Sequence, residues 1–284
     1  MNRNATMFKE VSTARTQLKR AANKLPGIGG VVFSLAMVAV GVETLLYERH
    51  SYLTASPDKI IPIIPFLPQI PWLAYAFGAI LAASGVALLF NRTVRPAAIV
   101  VGSLMFLGAV LFYAPEYIAN WGGMSVPART SIFEPLALAA LAWLLPGAGA
   151  MPSWLAHASR YLLALSFIVF GLDHFLALTF LSTLIPNWIP WHVFWIAFFG
   201  AGFIAVGVSL ALNILLRYAA ACIGLVFAIW VFTLHLPRVV RAPHTPDEWS
   251  SLLIAVALWG GSWALARAKL EQEYPVVSYT HPGG

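Results

Sequence analysis

The chain has 284 residues, of which 60% are hydrophobic and only 10% charged, and its mean hydropathy is +0.79. A soluble domain with about 25% charged residues covers itself with polar groups, and this composition cannot, so a soluble enzyme, a disordered chain and a secreted disulfide scaffold are excluded. The net charge of +6 points to membrane topology and anionic lipid, with no nucleic-acid partner, and the single cysteine, Cys222, rules out an intrachain disulfide or a cysteine zinc site.

The chain opens with a basic arm, residues 1–26, in which Met7, Val11, Ala14, Leu18, Ala21 and Leu25 recur at three- and four-residue intervals. That stripe, flanked by Lys9, Arg15, Lys19 and Arg20, suits a helix lying on an anionic leaflet or a disordered arm that enforces topology. Eight apolar stretches of roughly spanning length follow, at 28–47, 71–90, 96–115, 131–150, 161–181, 191–212, 217–236 and 249–267. The fourth is interrupted by Pro135 and Pro146, with Glu134 near its start. A short tail, 271–284, completes the chain. The expected fold is all-α and integral to the membrane.

With the N-terminus inside, Arg3, Lys9, Arg15, Lys19, Arg20, Lys24, Arg92, Arg95, Arg160, Arg217, Arg267 and Lys269 are internal. Arg49, Lys59, Arg129, Arg238 and Arg241 fall outside. The positive-inside rule therefore places both termini in the cytoplasm, and a bacterial plasma (inner) membrane is the expected location.

Internal self-similarity is the most informative pattern. A shift of 122 residues aligns 61–116 with 183–238 without a gap. It pairs Pro68 with Pro190, Gly78 with Gly200, Gly85 with Gly207, Asn91 with Asn213, Arg95 with Arg217, Gly102 with Gly224 and Pro115 with Pro237. A shift of 130 pairs Gly41-Val42-Glu43 with Gly171-Leu172-Asp173, and a shift of 116 pairs Trp143 with Trp259. The eight spans thus form two parallel four-helix repeats, 27–151 and 152–270, each with an even number of helices and hence the same orientation. Inverted repeats are the commoner signature of alternating-access transporters, so a parallel pair weighs against that class. Gly78, Ala82, Gly85, Gly200, Ala201 and Gly207 suit close helix packing.

The second half reads Gly171-Leu172-Asp173-His174-Phe175, then Ile185-Pro186-Asn187-Trp188-Ile189-Pro190, then Gly200-Ala201-Gly202, Gly207 and the Arg217 turn. This resembles the DoxX family of small four-helix membrane proteins over about 160–237, and more weakly over 41–116, as if two such units were fused. The resemblance implies a membrane accessory of quinone-linked oxidoreductases, docking a soluble or membrane redox partner, with any enzymatic activity exerted as a subunit. It transfers no catalytic residue.

Ionisable residues inside spans are costly and are candidate functional groups. Glu43 lies deep in the first span, with Asp173 and His174 at the matching place in the fifth, while His235 and His192 lie near the same face. A quinone needs a hydrogen-bond donor and acceptor for its carbonyls and a group that moves protons. Asp173 and Glu43 are the candidate catalytic carboxylates, with His174, Trp188 and Trp191 as candidate quinone-binding residues. Equally, each carboxylate can pin its helix to a neighbour. Haem fits less well, because His174 and His235 lie at different depths, and no metal-binding motif is present. The alternatives are a transporter or channel for a small or lipophilic solute, or a ligand-free scaffold.

Overall fold

The computed structural model describes residues 27–47, 71–114, 118, 126–145 and 151–273, so the basic arm lies outside the described residues, as does the expected tail from 274 on, its first three residues being helical. The described residues are helical throughout apart from their turns. The long helices are α1 (Ile28–Tyr47), α2 (Pro71–Ala87), α3 (Val94–Gly108), α4 (Val126–Trp143), α5 (Ser153–Leu176), α6 (His192–Leu212), α7 (Leu216–Trp230) and α8 (Pro246–Glu273). A short helix, Leu178–Ser182, follows α5, and Leu236–Arg241 extends α7.

Among the described residues six segments are long and apolar enough to cross a membrane: Ile28–Leu46, Val94–Leu111, Ser153–Leu176, His192–Leu212, Leu216–Arg241 and Pro246–Ala268. Trp72–Ala87 is a shorter apolar helix. Large apolar side chains such as Leu35, Leu107, Leu165, Phe198, Leu225 and Ile229 point outward along these helices. Exposed apolar surface on that scale is stable only against lipid. The chain is a polytopic integral membrane protein.

Several boundaries differ from expectation for physical reasons. The fourth helix spans Val126–Trp143 and not 131–150: Pro127 sits in its first turn, where a missing N–H costs nothing, and it stops before Pro146. Helix α5 begins at Ser153, earlier than 161, directly after the extended Pro152 (ψ 137°). Asn213 ends α6 in the left-handed region (φ 60°), a conformation Asn tolerates, and this makes the tight turn into α7.

Helices α3 and α7 each widen at their C-terminal end. Ala109–Tyr113 and Val231–His235 are π-helical turns, closed by the N–H of Ala114 on Ala109 and of Leu236 on Val231. Proline removes one N–H and its ring crowds the carbonyl four residues back, which a wider turn relieves. Pro237 lies just beyond the second turn, and Pro115 holds the same place in the sequence after the first.

Neighbouring helices run antiparallel and meet at glycines. A Cβ added at Gly41 would lie 2.6 Å from the Gly78 carbonyl oxygen, and one at Gly171 would lie 2.6 Å from that of Gly200. These mark the α1–α2 and α5–α6 crossings, where only glycine permits the backbone approach. Helix α8 packs along α1, with Gly260 against Gly29, while α4 packs along both α3 and α5. Gly102 of α3 faces the Trp143 indole and Gly224 of α7 faces that of Trp263. Trp143 and Trp263, which make these alike contacts, are 120 residues apart. The core runs through Phe33, Met37, Leu81, Met105, Leu138 and Phe167, all fully buried.

Candidate functional site

The antiparallel packing brings Glu43, Asp173, Arg129 and Ser250 to one end of the bundle, but in two separate seams. Glu43 is 4% exposed and faces α8, where the Ser250 hydroxyl donates to its Oε1. Asp173, 3% exposed, faces α4. The Arg129 guanidinium donates Nε–H to Asp173 Oδ1 at 2.8 Å, with Nη2 at 2.7 Å from the same oxygen. The Thr130 hydroxyl approaches Oδ2 at 3.4 Å. Both carboxylates thus meet a hydroxyl from a neighbouring helix, and Thr130 and Ser250 are 120 residues apart, the spacing that also relates Trp143 to Trp263.

His174 follows Asp173 in sequence, so its side chain leaves α5 about 100° away. It turns from the ion pair into an aromatic cluster. Its ring stacks on Trp230 at 5.6 Å between centroids, 19° from parallel, and sits 5.2 Å from Phe203. Phe199 closes on the far side of Trp230 at 5.5 Å, edge to face, and Phe227 packs on both Phe203 and Trp230. Nδ1 lies 2.7 Å from the Phe170 carbonyl oxygen. A carbonyl only accepts, so Nδ1 carries the proton, and in the neutral ring Nε2 is left as an acceptor.

The five candidate residues are therefore not one constellation. Asp173 and His174 share a helix end but face different neighbours, and Glu43 lies in the α1–α8 seam. Trp188 and Trp191 are 74% and 75% exposed on the loop before α6 and make no ring contact with His174 among the described residues. The rings that pack on His174 are those of Phe203 and Trp230. Trp191 is itself left-handed (φ 59°), an uncommon state for a bulky residue, and it points the ring away from the bundle.

Two participants escape sequence reading. Arg129 counts there as a loop charge, and only the earlier start of α4 makes it a helix residue beside Asp173. Trp230 had a signal available: at the 122-residue shift it faces Gly108, where an added Cβ would meet nothing within 4 Å. The matching positions of Phe203 and His174 in the first half are Leu81 and Thr44, so the aromatic cluster belongs to the second half alone. Among the described residues no group of His, Cys, Asp and Glu is placed to hold a metal ion.

No protein-family model matches the chain, and neither a curated protein nor a solved structure matches it.

Proposed function

We propose that this is a tandem-repeat membrane protein, eight spans arranged as two parallel four-helix units, that serves quinone-linked redox chemistry as a membrane partner. The repeat arrangement is supported by the paired features: the π-turns 122 residues apart, the glycine crossings, and the hydroxyl–carboxylate contacts. The DoxX-like segments in the second half support the redox role by resemblance.

The observation that carries the proposal is His174: an imidazole with a bare Nε2, set among flat aromatic rings at the end of a spanning helix. A quinone carries two electrons and two protons through lipid and presents a flat ring with oxygen at both ends. His174 Nε2 can accept a hydroxyl proton, and the half-buried Trp230 can pack on a planar ring. Arg129, 22% exposed along its side chain, keeps N–H groups beyond those committed to Asp173. Asp173 then acts as the positioning residue that holds Arg129.

The test is to purify the protein in mild detergent, extract it with organic solvent, and quantify quinone by chromatography with absorbance and mass detection. The expected result is close to one quinone per chain, lost in His174→Phe and His174→Gln while both variants remain folded. An extract that holds only phospholipid overturns the proposal. A second reading, a ligand-free scaffold, is favoured by the way each carboxylate is spent on a helix seam, and that same phospholipid-only extract is its expected outcome.

A further inference from the structure

A cavity of about 540 Å³ opens between the loop before α6 and the end of the α7 extension, at the same end of the bundle as Asp173. Its polar lining is Thr183, Asn187, Thr233, Arg238 and Arg241, and Trp188 stands at its edge. The volume is that of a small-ligand site. Among the described residues no acidic side chain lines it. Arg238 is held by Glu248, Nη2 to Oε1 at 2.8 Å, so that pair is close to neutral and Arg241 supplies the site's net positive charge.

The polar atoms are sorted within the cavity. The Thr183 hydroxyl donates to the Phe180 carbonyl at 2.7 Å, and Thr233 donates to that of Ile229 at 2.7 Å. Their protons are committed, so both threonines offer lone pairs. The available donors are the Arg241 guanidinium, the remaining N–H groups of Arg238 and the Asn187 amide. One side therefore suits an anionic oxygen group and the other suits a hydroxyl. Leu184 and Leu234 give the cavity an apolar flank, where a chain attached to the head could continue.

We propose that this cavity binds a glycerol-phosphate group, phosphate on Arg241 and Arg238 and hydroxyls on Thr183 and Thr233. Arginine suits phosphate because its planar fork bonds two oxygens at once. The site does not depend on the quinone proposal. At the 122-residue shift the first half carries Ile61, Pro65, Leu111, Glu116 and Ala119 in place of Thr183, Asn187, Thr233, Arg238 and Arg241. One group per chain is the expected stoichiometry.

The full chain, purified in neutral detergent, would be titrated with phosphatidylglycerol, phosphatidylcholine and free glycerol 3-phosphate, with native mass spectrometry for retained lipid and a thermal melt for the soluble ligand. Phosphatidylglycerol should be retained at one per chain with at least tenfold preference over phosphatidylcholine. That preference should fall at least tenfold in Arg241→Gln and in Asn187→Leu, and persist in Arg217→Gln at the other end. If glycerol 3-phosphate also raises the melt and displaces the lipid, the natural ligand is a soluble phosphate. If it does neither, a lipid head is the occupant. The proposal is overturned if neither ligand binds, or if Arg241→Gln and Asn187→Leu bind as the unmodified chain does.

Discussion

Asp173 is held by an arginine whose place in the chain gives no hint of the pairing. An ionised carboxylate taken out of water is tolerable only with a counter-charge and hydrogen bonds, and Arg129 and Thr130 supply them. Asp173→Asn keeps the shape and leaves the guanidinium without its anion. Breaking a fully buried pair costs about 3–5 kcal/mol, and the partial exposure of Arg129 lowers that to about 1–3 kcal/mol. Asp173→Asn with Arg129→Gln should recover most of the loss, as measured by denaturant titration in one detergent. Equal stability of Asp173→Asn and the unmodified chain would mean the pair contributes nothing. Sequence alone located both carboxylates, because charge inside an apolar span stands out. It could not locate Arg129, whose membership of α4 rests on a boundary five residues earlier than the apolar run. Trp188 and Trp191 are conspicuous as aromatics in a Pro-rich loop, but only packing decides which way such a ring faces, and both stand exposed, apart from His174.

Helix contacts were partly legible because glycine spacing carries them. Gly78, Gly85, Gly200 and Gly207 all lie at close crossings, as their recurrence suggests. What spacing does not tell is which glycines of a helix matter. Gly200 and Gly202 are neighbours on α6, yet an added Cβ at Gly200 would lie 2.8 Å from His174 Cβ, while one at Gly202 meets nothing within 4 Å. Gly171→Ala should lower stability by about 1–3 kcal/mol, since its Cβ would meet backbone that cannot move without separating α5 from α6. Gly202→Ala should be neutral or gain up to about 1 kcal/mol from helix propensity. Thermal melts of the two variants in the same detergent check this, and equal losses would refute the tight crossing. The π-turns mark the other limit. Pro115 and Pro237 are visible as a matched pair, but whether a proline kinks, ends or widens a helix depends on the neighbours that satisfy its freed carbonyls.

For the molecule as a whole, the packing order sorts charge along the membrane normal. Helices α1 and α8 meet antiparallel, as do α4 and α5, so the turn at Arg92 and Arg95, the start of α5 at Arg160, the turn at Arg217, and Arg267 all lie at one end. The opposite end holds Arg129, Arg238 and Arg241, and the first two are engaged by Asp173 and Glu248. On the positive-inside rule the end bearing Arg160 and Arg217 is expected to face the cytoplasm, and the end with His174 and the Arg241 cavity to face away from it. With Cys222→Ser as background, single cysteines at Ser153 and His244 would be treated with a membrane-impermeant maleimide in intact cells. His244→Cys should label and Ser153→Cys should not, until permeabilisation exposes both. The reverse pattern would invert the orientation, and the proposed glycerol-phosphate site would then sample the cytoplasmic leaflet, where anionic lipid is concentrated.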